Sequence, residues 1–304
     1  AMPLPLVARV PSTVSTVFTL DEDEPMPVSK LPTVAGYTLI EHLGAGTSSN
    51  VFVAKKEGAT EEVALKLLSV THAAVAQCAL PRFLREAELT CGTPPHPHLA
   101  HGIESGESGT DHYLAMRLLR GQSLEHFLLD RGRLDWRVAT KFALQIGKAL
   151  AHLDAHGIVH RDVKPSNIMV CCKCGINLGY NEEPGRPPMQ CTCREQTCVL
   201  IDLGLARRAC REEEDDDDGN NQNPVSLAPQ TTPSPLRRIK TPAYCAIGSP
   251  AFMPPECVRD AHTASHAADV YGLGATWYAA LTGVLPFSGT SPMQVMKQVL
   301  NGEM

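Results

Sequence analysis

The segment His160-Arg161-Asp162-Val163-Lys164-Pro165-Ser166-Asn167 concentrates the chemistry of this chain. An Asp, a Lys two residues on and an Asn five residues on, held in one loop, can together supply a base, a cation for a phosphate and a metal ligand. Downstream, Val199-Leu200-Ile201-Asp202-Leu203-Gly204 places a second Asp between an apolar run and a glycine, where a carboxylate can be aimed at a metal ion. Upstream, Val63-Ala64-Leu65-Lys66 sets a lysine in a strand-like run. Singly, each has an ordinary reading: Asp-x-x-x-x-Asn is a common turn, and a strand lysine is commonly a solvated edge charge. Their joint presence, in this order, is what carries weight.

The elements that must position these residues can be read from periodicity. Three strand-like runs, Tyr37–Leu43, Asn50–Lys56 and Glu62–Leu68, predict an antiparallel meander whose first turn is Gly44-Ala45-Gly46-Thr47-Ser48-Ser49. A helix is predicted from Pro81 through Phe83, Leu84 and Ala87 to Gly92, and more strand around Tyr113–Leu119. Over Asp135–His156 the residues Val138, Phe142, Ile146, Leu150 and Leu153 recur at helical spacing, with Asp135 as cap and Gly157 as terminator. A strand-rich part therefore precedes a helix-rich part, an α+β arrangement. Residues 1–35, proline-interrupted and aperiodic, read as a disordered leader. Segments 171–198 and 208–243 read as insertions, because structureless loops of that length are uncommon inside a domain. No internal repeat is found.

With those residues in place, the chain resembles the eukaryotic-like serine/threonine protein kinase family. The resemblance runs in order from Tyr37 to the C-terminus. It includes the glycine loop, Val63 to Lys66, Glu86 within Phe83-Leu84-Arg85-Glu86-Ala87, His160 to Asn167, Asp202-Leu203-Gly204, Gly248-Ser249-Pro250-Ala251-Phe252-Met253-Pro254-Pro255-Glu256, and Asp269-Val270-Tyr271-Gly272-Leu273-Gly274. It implies a two-lobed fold over 36–304, with an antiparallel N-lobe at 36–119 and a mainly helical, partial C-lobe at 120–304. The activity implied is transfer of the ATP γ-phosphate to protein Ser/Thr hydroxyls. Lys66 is then expected to hold the α and β phosphates, oriented by Glu86; Asp202 and Asn167 to bind Mg²⁺; Asp162 to take the hydroxyl proton; Lys164 to steady the γ-phosphate. The adenine pocket is expected from Leu43, Gly44, Gly46, Val51 and Ala64 above, Met169 below, Met116 as gatekeeper and the backbone of Arg117, Leu118 and Leu119. Arg161 resembles kinases that pair this residue with a phosphorylated activation loop, and Ser249 before Pro250 resembles the serine/threonine branch. Glu256 is expected to pair with an Arg in helices that this chain, ending at Met304, does not reach, so 1–304 alone is expected to be marginally stable.

Composition narrows the partners. The net charge of −6 comes from 27 basic and 33 acidic residues, and seven of the acids form one run, Glu212 to Asp218. No basic cluster suits nucleic-acid binding. Val270–Phe287 holds no charge, yet its glycines, Pro286 and the opening Asp269 favour a buried helix over a membrane span. Eleven cysteines, six of them within 171–198, fit a reducing, cytoplasmic setting better than a secreted disulfide scaffold. Cys171, Cys174, Cys191, Cys193 and Cys198 supply enough thiolates for a structural Zn²⁺, although the second pair lacks the usual two-residue spacer; free thiols in an exposed loop are the other reading. The third glycine of the loop is replaced by Ser49, which motivates a pseudokinase scaffold as the alternative to an active kinase.

Overall fold

Period-two alternation builds the first lobe. The computed structural model describes residues 31–45, 49–69, 79–172, 196–208 and 250–302. Strands β1 (Tyr37–Ala45), β2 (Asn50–Lys56), β3 (Glu62–Ser69), β4 (Gly102–Ser108) and β5 (Asp111–Arg117) form one antiparallel sheet in the order β1-β2-β3-β5-β4. On β3, Val63, Leu65 and Leu67 enter a core with Tyr37, Leu39, Phe52, Ala54 and Ala115, while Ala64 and Lys66 point to the other face and stay half-buried. Helix α1 (Leu80–Gly92) packs there, with Phe83 and Ala87, one turn apart, against Leu68 and Leu114. Pro81 lies in its first turn, where a missing N–H costs nothing.

This core starts before Tyr37. Val34 bridges to Tyr37 and is 2% exposed, so the last residues that composition assigns to the leader belong to the first core. Strand β4 matches none of the strand-like runs in the sequence, and the strand expected over Tyr113–Leu119 is β5, two residues earlier at each end.

The second lobe is mainly helical. Its elements are β6 (Gly121–Ser123), α2 (Leu124–Arg131), α3 (Trp136–Ala155), β7 (Ile158–Val159), β8 (Ile168–Cys172), β9 (Gln196–Leu200), β10 (Arg207–Arg208), α4 (Pro255–Arg259), α5 (His266–Thr282) and α6 (Pro292–Asn301). Strands β6, β8 and β9 make one small sheet, β7 and β10 another. Helix α3 forms as its spacing predicts: Asp135 caps it by accepting from Arg137 N–H at 2.9 Å, and Gly157, at φ 65°, turns the chain out of it. Its buried stripe, Ala139, Phe142, Ile146, Ala149, Leu150 and Leu153, packs against Phe127, Ile168, Val170, Leu200 and Leu203. A sheet-rich lobe and a mainly helical one together make the two-lobed α+β fold that the resemblance implies.

Helix α5 carries the uncharged run. Among the described residues no helix is long and apolar enough to cross a membrane. Ser265 caps α5 and Gly283, in the left-handed conformation, ends it. Ala268, Asp269, Gly272, Ala275, Thr276, Ala279 and Ala280 are buried, while Val270 is 66% exposed on the opposite side. A Cβ at Gly272 would stand 2.9 Å from Val163 O, so the helix reaches the backbone of the 160–167 loop only because this residue is glycine. Gly274 on the same helix has open space instead. Gly272→Val is expected to lower the unfolding free energy by about 1–3 kcal/mol through overpacking. Gly274→Ala is expected to raise it by about 0.5–1 kcal/mol through helix propensity, both read from urea unfolding curves.

Candidate active site

Lys66 leaves β3 toward α1 because its neighbours Leu65 and Leu67 take the other face. Its Nζ lies 2.6 and 2.8 Å from the two carboxylate oxygens of Glu86 on α1, and 3.7 Å from Asp202 Oδ1. Glu86 is 5% exposed, and burial pushes its carboxyl up to about 7 against the pull of the Lys66 ammonium. Burial alone would lower Lys66; the Glu86 and Asp202 carboxylates reverse that and raise it above the ordinary lysine value. Asp202 moves the other way. Burial opposes its charge, but the Lys66 ammonium and the Gly204 N–H, donating at 2.9 Å, hold its carboxyl below the usual range, helped by His160 and Lys164. A Cβ on Gly204 would lie 2.9 Å from Asp202 Oδ1 and 3.3 Å from Glu86 Oε2, which explains a glycine after this Asp.

Between β7 and β8 the loop residues turn on one another. Lys164 Nζ stands 2.8 Å from Asp162 Oδ2, and Asn167 Nδ2 donates to both the Asp162 carbonyl and Oδ2 at 2.9 Å. Asp162 Oδ1 takes no partner among the described residues. The loop is anchored by Asp269, 4% exposed on α5, whose Oδ2 accepts from His160 N–H at 2.8 Å and Oδ1 from Arg161 N–H at 2.7 Å. His160, fully buried, accepts the Asp162 N–H at Nδ1, 3.3 Å away, and so presents Nε2–H to Ile201 O, also at 3.3 Å. Asn167 O accepts from Ile201 N–H at 2.9 Å, a second tie between the loop and the segment bearing Asp202. Arg161 (φ 71°) and Asp202 (φ 67°) are the non-glycine residues at positive φ among the described residues. Each such position costs about 1–3 kcal/mol, and such strain concentrates at functional sites.

Around this polar centre the side chains expected to face adenine are half-buried rather than buried: Leu43, Val51, Ala64, Met116, Leu118 and Met169. Register sets Ala64 opposite Met116, Val51 opposite Lys66 and Gly44 opposite Val51. The structure therefore brings together Lys66, Glu86 and Asp202, and separately Asp162, Lys164 and Asn167, with His160 joining the two groups. Gly46, Cys174, Cys191, Cys193 and Ser249 lie outside the described residues. Glu256 is half-buried in the first turn of α4, where a helix N-terminus favours a carboxylate.

Three further residues stand at the site although the sequence gives them no role there. Asp269 appears in the sequence as the charged boundary of an apolar run and as the first residue of a segment that carries the resemblance. Arg85 and Arg207 stand near Arg161, which burial and then Arg207 and Arg85 hold below the ordinary arginine value. Arg161 Nη2 donates to Ala261 O, while its buried Nε finds no partner among the described residues.

The zinc reading gains nothing from the described residues, among which no group of three or more His, Cys, Asp or Glu is arranged to hold a metal ion. Cys198, on β9, is fully buried in the core with Val170 and Leu200, and burial pushes its thiol up, the opposite of what a thiolate ligand needs. Cys171, on β8, is half-buried, and burial raises it to about 11.

The family model described as the protein kinase domain matches residues 37–304. Among curated proteins the chain is 26% identical over 267 residues to the serine/threonine-protein kinase PrkC of Bacillus subtilis, covering 88% of this chain and 33% of that protein. It is 28% identical over 267 residues to PknK of Mycobacterium tuberculosis (88% of this chain, 19% of that protein). It is 29% identical over 283 residues to PkaA of Streptomyces coelicolor (90% and 43%). The chain thus spans less than half the length of each of these relatives.

Asp269→Ala leaves two backbone N–H groups without their acceptor. An expected loss of about 2–5 kcal/mol in unfolding free energy, with Asp269→Asn intermediate, can be measured by urea denaturation.

Proposed function

Because the chain belongs to the protein kinase domain family, we propose that it is a serine/threonine protein kinase that transfers the γ-phosphoryl group of ATP to protein hydroxyls with Mg²⁺ as cofactor. The observation that carries this reading is the two-point contact of Lys66 with Glu86 at 2.6 and 2.8 Å, with Asp202 3.7 Å away. A lysine so held, rather than folded back into solvent, is positioned to meet phosphate oxygens.

The donor set fits a hard divalent cation. Asp202 keeps a side chain 43% exposed and a depressed carboxyl, and Asn167, whose Nδ2 is spent on Asp162, has its amide oxygen left to ligate. Mg²⁺, when bound by these two, supplies neutralisation of phosphate charge. The chain's own groups do the rest. Asp162 Oδ1 accepts the proton as the Ser or Thr O–H bond breaks; the freed oxygen bonds to the γ-phosphorus, and the bond from that phosphorus to the ADP oxygen breaks. Lys164, 2.8 Å from Asp162 Oδ2, holds that carboxylate in place and sets its ammonium where the transferred group carries charge. Asp269 acts at one remove by fixing the loop backbone. A phosphorylated Ser or Thr of the segment before Pro250, or its acidic run, is a counter-charge suited to Arg161, whose buried Nε finds no partner among the described residues.

Incorporation of labelled γ-phosphate into generic Ser/Thr protein substrates tests the reading, with Lys66→Met and Asp162→Asn expected to lose about 10²–10⁴ of the rate. Equal incorporation by all three proteins would leave the scaffold reading instead. The buried Glu86 adds a pH signature. Its carboxyl, raised to about 7, takes up a proton as pH falls through that value and its pairing with Lys66 weakens. The kcat/KM profile is expected to show a single-proton acid limb near pH 7 that disappears, with a lower plateau, in Glu86→Gln. A limb unchanged in that variant would assign the titration to another group.

A further inference from the structure

Four imidazoles that the phosphoryl-transfer site does not use lie in a row at the junction of the lobes. His98, His96, His152 and His156 touch in that order, with ring centroids 5.6, 4.9 and 4.5 Å apart. The first two lie on the 93–101 connection between α1 and β4, His152 in the last turn of α3 and His156 just past its end. His96 and His152 are stacked at 20° between ring planes.

Hydrogen bonds to the backbone set the role of one nitrogen on each ring. His98 donates Nδ1–H to Cys198 O at 2.9 Å, His152 Nε2–H to Pro94 O at 2.8 Å, and His156 Nδ1–H to His152 O at 2.7 Å. His96 differs, because its Nδ1 accepts from the His98 N–H at 3.3 Å. A proton placed on that nitrogen removes the bond and sets one N–H against another. The titratable and charged groups that face His96 are His98 on its own connection and His152 and Lys148 on α3, all of them basic. From strand β9 the Cys198 carbonyl reaches the row through His98. Asp154, the nearby acid of α3, is engaged elsewhere, with His266 Nε2 at 3.0 Å.

The row sits where the two halves of the site are joined. His98 O accepts from Leu200 N–H at 2.9 Å, Leu200 O accepts from Ala100 N–H at 2.8 Å, and Leu99 bridges to Leu200. Upstream, Thr93 closes α1 by donating its N–H to Leu89 O at 3.0 Å. The connection therefore runs from the helix that bears Glu86 to the strand that leads into Asp202.

We propose that this imidazole row is a proton-sensitive clasp: with His96 neutral it holds the α1–β4 connection onto α3 and β9, and proton uptake by His96, whose Nδ1 then no longer accepts the His98 N–H, releases it. Burial, then His152, His98 and Lys148, hold His96 below the ordinary histidine value. The released connection binds protons more readily than the closed one, so closure is complete above about pH 6.5 and is lost as pH falls below it. Acidification thereby loosens the hold of the Glu86 helix on the Asp202 strand.

The test is amide exchange at Ala100 and Leu200 in the whole chain, each rate divided by its intrinsic value, from pH 7.5 to pH 5.5. Protection is expected to fall about tenfold in the wild type and less than about twofold in His96→Asn/His152→Tyr. In that variant Asn can accept the His98 N–H as an Asx turn does, and Tyr keeps a flat ring with a donor. Equal falls in the two proteins overturn the proposal. Ring titration of the wild type by NMR gives an independent readout: a His96 midpoint below about 6.5 is expected, and one at or above about 6.5 overturns it. Glu86 is present in both proteins, so its own titration cancels.

Discussion

The geometry of the site depends on one buried carboxylate and the two backbone N–H groups it receives. Asp269 reaches out of α5 into a place where an unpaired charge would be costly, and the N–H groups of His160 and Arg161, at 2.8 and 2.7 Å, compensate it. Those two residues precede Asp162 directly, so the pair of bonds fixes the start of the segment that ends at Asn167. The positive φ of Arg161 accompanies the same arrangement, in which consecutive N–H groups meet one carboxylate. Gly272 lets the helix come close enough for this, since any Cβ there would meet Val163 O.

The second organising feature is one ammonium between two carboxylates of unlike surroundings. Lys66 serves both Glu86, whose side chain is 6% exposed, and Asp202, at 43%. Burial dominates at Glu86, and its carboxyl rises; at Asp202 the ammonium and the Gly204 N–H dominate, and its carboxyl falls. The same lysine thus faces one acid that is readily neutralised and one that stays charged, a division suited to a positioning role for the first and cation ligation for the second.

Much of this architecture is legible in the order of the residues. Helix α3 declares itself through its apolar spacing and its two end signals, and β1 to β3 through β-branched or apolar runs; Lys66, Asp162 and Asn167 stand out from local order, and Glu86 only through the family resemblance. The rest escapes a linear reading for identifiable reasons. Strand β4 reads Gly-Ile-Glu-Ser-Gly-Glu-Ser, and its one large apolar residue, Ile103, is 50% exposed, so its strand character comes from pairing with β5. Gly102 would clash with Cys91 if it carried a Cβ, a contact no local pattern announces. Spacing along the chain makes Cys198 a candidate thiolate ligand, whereas β9 buries it in the core with Val199 and Leu200. Asp269, Arg85, Arg207 and the histidine row depend on residues distant in sequence meeting in space.

The pairing of β8 with β9 has a consequence for how this chain can vary. Cys172 stands opposite Gln196 in register, so the two ends of the 173–195 stretch are a single inter-strand spacing apart, and Asn167 and Asp202 flank the pair from the other side. Lengthening a short turn to a stretch of this size at such a closed gate costs only about 2 kcal/mol of closure entropy. The stretch can change in length while β8 and β9 hold Asn167 and Asp202 at the same separation. The hairpin uncouples evolutionary freedom in one stretch from the chemistry on either side of it.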